Sequence, residues 1–161
     1  MKQYNNELTP SVLALVTNPF SAEQLANADD EQRQIFKSYV EEMKDRSLQA
    51  IWRFATTGAL TQNGGKIEGT SINDSFTLED GSEVSRAMVG DYAVYHDGTR
   101  ARIINGSGSA NTNGNGVSYA LVGSQLDNGD VIISTPQDYA FLCQLDNSPA
   151  MPADFLARAA L

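Results

Sequence analysis

The stretch Glu83-Val84-Ser85-Arg86-Ala87-Met88-Val89-Gly90-Asp91 returns 33 residues later as Gly116-Val117-Ser118-Tyr119-Ala120-Leu121-Val122-Gly123-Ser124. Five of the nine positions are identical, and Met88 is replaced by Leu121, an apolar residue of similar size. Matched apolar positions at a fixed offset indicate a repeated supersecondary unit. Each copy ends in Val-Gly and a polar residue, which predicts a strand that runs into a turn where the backbone requires glycine.

The start of the unit is also repeated, more loosely. Lys66–Ser71 resembles Ile103–Gly108, and Val131–Ser134 opens in the same way. Three apolar starts and two Val-Gly closures predict about three short β units side by side, the last of them truncated. The alternative is an ordinary β-sandwich in which two strands are similar by chance.

The distribution of glycine divides the chain. All 13 glycines lie at or after Gly58. Glycine destabilises helices and permits tight turns, so the two parts are expected to differ in structure. The sequence therefore predicts a helical N-terminal extension over residues 1–57, a β body over 58–142 and a C-terminal tail over 143–161.

The first part carries helix signals. Thr9-Pro10 is typical of an N-cap with proline at the first helical position, and Ser21 with Gln24 fits a capping box. From Glu31 onward an apolar stripe at helical spacing comprises Ile35, Phe36, Tyr39, Val40, Met43, Leu48 and Trp52. This stripe either packs on its own domain or docks on a partner, with Tyr39, Trp52 and Phe54 as anchors.

The pattern of the second part indicates short strands separated by tight turns. Five hairpin-type dipeptides interrupt its apolar runs: Asn63-Gly64, Asp80-Gly81, Asp97-Gly98, Asn105-Gly106 and Asn128-Gly129. Residues 106–116 are rich in Gly, Ser and Asn, which predicts one exposed loop. The expected fold class is mainly β.

Composition and reactive side chains point away from several functions. The formal charge is −9 with no basic cluster, so we expect no binding to nucleic acid. The one histidine, His96, and the one cysteine, Cys143, supply at most two of the three or four ligands that zinc requires. Gly64-Gly65-Lys66 lacks the flanking residues of a phosphate-binding loop. The sequence therefore predicts a protein that is not an enzyme, with a small hydrolase using His96 and an acid as one alternative.

Four segments in order resemble the PAAR-repeat family: 64–67, 86–91, 120–124 and 129–132. The likeness covers roughly residues 56–137. It implies a cone-shaped body of short β-hairpins behind the N-terminal helices. The turn residues that match the family pattern are Gly64, Gly65, Gly90, Asp91, Gly123 and Ser124.

The resemblance implies a function at the tip of a spike. Such proteins cap and sharpen the trimeric β-helical spike of contractile phage tails and type VI secretion systems, one tip per trimer, and meet the target membrane transiently. The expected location is a virion tail tip, or the bacterial cytoplasm with delivery by type VI secretion. The alternative is an adaptor or chaperone that links a cargo to the spike through its N-terminal helices.

The chain departs from the family where many members bind zinc. Asn63 stands where a histidine often precedes Gly-Gly, and Ser124 stands where the second turn often carries one. Only His96 loosely matches a family ligand. We therefore expect no cofactor, and a tip held together by side-chain packing and hydrogen bonds.

Overall fold

The computed structural model describes residues 1–157, which form two compact units. The first, here called the β unit, comprises Met1–Asn6, Trp52–Leu142 and the described part of Ala150–Leu161. The second, the helical unit, comprises Glu7–Ile51 and Cys143–Pro149. The division at Ile51/Trp52 precedes the boundary that the glycines suggested, because residues just before Gly58 already belong to the β unit.

The helical unit contains three helices: α1 (Pro10–Thr17), α2 (Ala22–Asn27) and α3 (Asp30–Met43). The predicted caps are confirmed: the Thr9 side chain accepts a hydrogen bond from the Val12 amide, and Ser21 forms a reciprocal capping box with Gln24. Asp29 starts α3 with a second box. No helix among residues 1–157 has both the length and the apolar character of a membrane span.

An aromatic cluster holds the helical unit together. The Phe20 ring stacks on Phe36 at 4.2 Å between centroids and meets Tyr39 edge-on at 5.5 Å. The Tyr39 hydroxyl donates to the Val16 carbonyl at 3.0 Å, which ties α3 to α1. Ile35 is 60% exposed and takes no part in the predicted buried stripe.

The predicted continuation of the helical stripe through Leu48 and Trp52 is wrong. Residues Leu48–Arg53 form a strand, β1, which pairs with β9 (Phe141–Leu145). A spacing of four residues fits both a helix and the two-residue alternation of a strand. Pairing with a segment about 90 residues away decides between them, which no local pattern can reveal.

The remaining strands are two or three residues long and pair antiparallel. The five-stranded sheet has the order β7-β6-β3-β2-β8, and β4 pairs with β5. Their bounds are β2 (Leu60–Thr61), β3 (Lys66–Ile67), β4 (Ser75–Thr77), β5 (Glu83–Ser85), β6 (Tyr92–Val94), β7 (Arg100–Arg102) and β8 (Ile132–Ser134). The expected mainly β class is confirmed: the α-helices lie in the N-terminal part, and one 3-10 helix, Gly108–Ala110, lies among the strands.

The core of the β unit is built mostly from small and β-branched side chains. Six alanines contribute to it, each at most 2% exposed: Ala55, Ala59, Ala87, Ala93, Ala101 and Ala120. They pack with Ile67, Ile103, Val122, Leu126 and Ile132. Small side chains let several backbone segments approach one another closely.

Candidate functional site: a closed threefold arrangement

Three alanines form a closed ring of main-chain hydrogen bonds at the centre of the β unit. The Ala55 amide donates to the Ala120 carbonyl at 2.9 Å, Ala120 donates to Ala87 at 3.0 Å, and Ala87 donates to Ala55 at 2.9 Å. Each alanine is 0% exposed. A ring that closes after three equivalent steps relates the three segments by pseudo-threefold symmetry.

The residues on both sides of each alanine obey the same cyclic rule. Isolated bridges join Thr56 to Arg86, Met88 to Tyr119, and Leu121 to Phe54. Further amides bond in the same rotation, with donors Thr57, Val89 and Val122 reaching the carbonyls of Ser85, Ser118 and Arg53 at 2.8–3.0 Å. The two Val-Gly segments therefore occupy matching surroundings, as the sequence repeat predicts.

The turn after each alanine leads to an equivalent isoleucine. The amides of Gly58, Gly90 and Gly123 donate to the carbonyls of Ile67, Ile103 and Ile132 at 2.7–2.9 Å. All three glycines have positive φ, between 88° and 106°, which explains why this position requires glycine. Ile67 thus corresponds to Ile103, one residue away from the register that sequence similarity suggested.

The repeat pattern in the sequence did not reveal the first of the three copies. It is Phe54-Ala55-Thr56-Thr57-Gly58, which retains only the Ala and Gly of the repeated phrase. The expectation of two closures and a truncated last unit is therefore wrong, since three complete closures are present. An Ala-x-x-Gly spacing repeated at Ala55, Ala87 and Ala120 was the available signal, and threonines in place of Met-Val or Leu-Val concealed it.

One amide in each copy donates a hydrogen bond to a side chain, and the accepting residue differs between the copies. Asp91 Oδ2 accepts from the Met88 amide at 2.8 Å, and Ser124 Oγ accepts from Leu121 at 2.9 Å. In the first copy Ala59 cannot accept, and Thr135 Oγ1 serves the Thr56 amide at 3.2 Å. The predicted turn residues Asp91 and Ser124 thus satisfy buried donors.

We expect Asp91→Ala to destabilise the protein more than Ser124→Ala. Asp91 also accepts from the Ser71 amide at 3.0 Å, so its loss removes two hydrogen bonds, whereas Ser124→Ala removes one. The expected costs are about 2–3 and about 1 kcal/mol in the free energy of unfolding, measured by urea denaturation. The exposed Glu68→Ala serves as control, and equal costs for the two variants would contradict this account.

Three hairpins extend from the ring, and each turns at a glycine with positive φ. The turns contain Asn63-Gly64, Asp97-Gly98 and Asn128-Gly129, with glycine φ values of 91°, 85° and 88°. Gly65 follows the first turn in a confined place. A Cβ there would lie 2.8 Å from Thr61 Oγ1 and 2.9 Å from the Tyr95 ring, so the ring packs directly on the backbone.

A single buried carboxylate connects all three hairpins. Asp130, which is 1% exposed, lies on the third hairpin, where its Oδ1 accepts from the Val131 amide at 2.8 Å. The same oxygen accepts from the Asn63 amide of the first hairpin at 3.1 Å. Its Oδ2 accepts from the Tyr95 hydroxyl of the second hairpin at 2.6 Å. Asn128 completes the network by donating to the Tyr95 hydroxyl at 3.1 Å.

The network lowers the pKa of one acidic group and raises the pKa of the other. Burial opposes ionisation of Asp130, but hydrogen bonds from Thr61, Tyr95 and the neighbouring amides hold its pKa below the ordinary carboxyl value. Burial, together with Asp130, raises the pKa of Tyr95. At neutral pH the carboxylate is therefore charged and the phenol is a donor, which matches the observed geometry.

The residues considered for metal binding or catalysis are not assembled into a site. His96 and Cys143 are both exposed. Partial burial of the sulfur nevertheless raises the pKa of the Cys143 thiol, the opposite of what a nucleophilic cysteine needs. Within residues 1–157, no three His, Cys, Asp or Glu side chains are grouped to hold a metal ion.

Of the three predicted partner anchors, Phe54 is buried. It is 6% exposed, because its ring packs edge-on against Tyr119 at 5.5 Å, so the expectation that it forms a surface contact is wrong. Trp52 is half-buried against Phe155 at 4.8 Å, and Tyr39 is half-buried on α1. An apolar pattern marks such residues but does not distinguish a core from an interface.

The predicted exposed loop over residues 106–116 is wrong in its first part. Gly106 and Ser107 are buried, and a Cβ on Gly106 would lie 2.1 Å from the Tyr119 carbonyl oxygen. The Asp154 carboxylate accepts from the Ser109 amide at 2.8 Å and from its hydroxyl at 2.9 Å. Distant contacts thus anchor a segment whose composition alone is typical of a loop. In the predicted C-terminal tail, residues 153–156 form a turn, and residues 158–161 lie outside the described residues.

Comparison with known proteins gives no relative. No family model matches the chain, and neither the curated proteins nor the solved structures contain a significant match.

Proposed function

We propose that this chain is a non-enzymatic spike-tip protein that caps the trimeric central spike of a contractile injection machine. The observation that carries the proposal is the closed ring of Ala55, Ala87 and Ala120. A single chain with three equivalent segments around one axis can match the end of a threefold-symmetric partner. The resemblance to the PAAR-repeat family adds the identity of that partner, a β-helical spike.

In this proposal the strand pairs beside the ring meet the spike. Each copy is preceded by a strand with an antiparallel neighbour: β1 pairs with β9, β5 with β4, and Ser118 with Thr112. At the end of a β-helical trimer, strand edges are left unpaired, and pairing them with edges of a cap removes a liability to aggregation.

The hairpins fit the mechanical part of the proposal. Short hairpins closed by one buried carboxylate give a compact end with glycine turns, consistent with a PAAR-like cone that tapers away from the spike. In this proposal the cone concentrates the force of the contracting sheath on a small area of the target membrane. The corresponding location is a virion tail tip, or the bacterial cytoplasm before delivery by type VI secretion.

The test is the stoichiometry of a complex with the trimeric β-helical spike protein encoded in the same genome. Co-expression followed by size-exclusion chromatography with light scattering is expected to give one copy of this chain per spike trimer. Because the chain supplies all three equivalent segments itself, it is expected to be monomeric when alone. A chain that forms its own trimer, or that fails to bind the spike, overturns the proposal.

A second candidate function is an adaptor that presents the helical unit to a cargo. The helical unit is a separate compact unit that exposes several large apolar side chains: Leu13 (41%), Leu15 (38%), Leu25 (40%) and Ile35 (60%). The double variant Leu13→Glu/Ile35→Glu distinguishes the two functions. It should leave spike binding unchanged, and it should abolish delivery of a cargo only if the adaptor function holds. Truncating residues 1–57 is unsuitable, because it removes Phe54–Thr57 from the ring.

A further inference from the structure

Three side chains at equivalent positions of the three copies converge beside the alanine ring. Arg86 stands between the two aromatic residues, its guanidinium carbon 4.5 Å from the Phe54 ring centroid and 4.9 Å from that of Tyr119. Phe76 forms a third wall at 5.0 Å. The pseudo-symmetric position thus holds one arginine among aromatic rings.

The guanidinium has a donor that the described part of the chain does not use. An arginine carries five N–H groups, and that of Arg86 Nε has no hydrogen-bond partner within residues 1–157. The nearest acceptor, Asp74 Oδ2, lies 3.5 Å from Nε, which is an ion-pair distance without hydrogen-bond geometry. Nε is buried, while the side chain as a whole is 20% exposed.

This arrangement suits a ligand better than it suits stability alone. Cation–π contacts hold the guanidinium in place, but a buried N–H without an acceptor is destabilising, and native structures rarely retain one. Equivalent positions 54 and 119 carry aromatic residues, so an aromatic residue at position 86 would fill the site without that cost. A guanidinium that is held in place and has an unpaired N–H group can donate to acceptors from outside the chain.

We infer that Arg86 binds main-chain carbonyl oxygens that the three-stranded spike presents around its own axis; this rests on the proposed function. A homotrimer presents every group three times. Three carboxylates would leave two without a counter-charge beside aromatic rings, whereas three neutral carbonyls can share the fork of one guanidinium. Strand ends of a β-helix leave such carbonyls without intramolecular partners.

The experiment measures the affinity of the purified spike trimer for the wild type and for three variants by titration calorimetry. Arg86→Gln removes the charged fork, and Arg86→Lys keeps the charge and the cation–π contacts. Arg100→Gln is the matched control, because Arg100 also lies over a ring, that of Tyr92 at 4.2 Å, but belongs to β7 and not to one of the three ring segments. We expect Arg86→Gln to weaken binding roughly 10- to 100-fold, Arg86→Lys to weaken it less, and Arg100→Gln to have no effect.

The outcomes separate the two proposals. Wild-type protein that does not bind the spike overturns the proposed function, and this inference with it. Wild-type binding that Arg86→Gln leaves unchanged overturns the inference alone. If Arg86→Gln fails to fold, as judged by its thermal melt, Arg86→Lys decides in its place. A salt dependence that is steep in the wild type and flat in the Arg86 variant would identify carboxylates as the acceptors, against the carbonyls inferred here.

Discussion

Replacing Asp130 by alanine should lower the free energy of unfolding by about 3 kcal/mol or more. Asp130 is 1% exposed, and the variant leaves the partly buried Asn63 and Val131 amides and Tyr95 hydroxyl without their acceptor. Each buried donor left without a partner costs roughly 1–3 kcal/mol, and here the donors come from three different hairpins. Thermal and urea unfolding of the purified protein measure the effect.

The stabilisation by Asp130 should depend on pH in one direction. The pKa of Asp130 is lowered in the folded state by its hydrogen bonds, so the unfolded chain binds the proton more readily. Its contribution is therefore fully present above the ordinary carboxyl pKa of about 3.9 and is lost as the pH falls through the lower folded value. Between pH 7 and pH 3, Asp130→Asn should lose less stability than the wild type.

Two controls test whether the carboxylate, and not a metal ion, joins the hairpins. Asp127→Asn changes an exposed aspartate on the same hairpin and should alter stability by less than about 0.5 kcal/mol. A chelator should leave the wild-type melting temperature unchanged, and so should His96→Ala. A melting temperature that falls with the chelator, or an Asp130→Ala variant as stable as the wild type, would refute this account of the hairpin ends.

Leucine at any of the three ring positions should destabilise the fold by at least about 1–3 kcal/mol. Ala55, Ala87 and Ala120 are each fully buried, and each backbone bonds to the next around the ring. Three added carbon atoms at any of them must move a neighbouring strand, which stretches the main-chain bonds of the ring. The three variants should also weaken spike binding if the ring sets the geometry of the docking face.

The symmetry gives this prediction its sharpest form, since the three losses should be similar. Urea denaturation of Ala55→Leu, Ala87→Leu and Ala120→Leu is compared with Ala22→Leu, which adds the same atoms at an exposed position of α2. The control should change stability by less than about 0.5 kcal/mol. One tolerant ring position beside two intolerant ones would show that the three copies are not equivalent in packing.

The sequence alone determined the features that depend on a few neighbouring residues. The helix caps at Thr9 and Ser21 follow from hydrogen bonds that span three residues. Four of the five predicted Asn-Gly and Asp-Gly turns contain a glycine with positive φ, which glycine tolerates, whereas Gly106 does not have positive φ. The repeated phrase showed the second and third copies because both keep Ala, Val and Gly at the same spacing.

Only the tertiary structure decided the features that join distant segments. Leu48–Arg53 forms a strand because Phe141–Leu145 pairs with it, and Phe54 is buried because Tyr119 packs against it. The first copy became visible only when Ala55 closed the ring with Ala87 and Ala120. In the sequence Asp130 is one of 20 acidic residues, and only its hydrogen bonds to three hairpins distinguish it from the others. Local backbone preferences depend on adjacent residues, whereas closure of a ring and burial of a charge depend on partners 30 to 90 residues away.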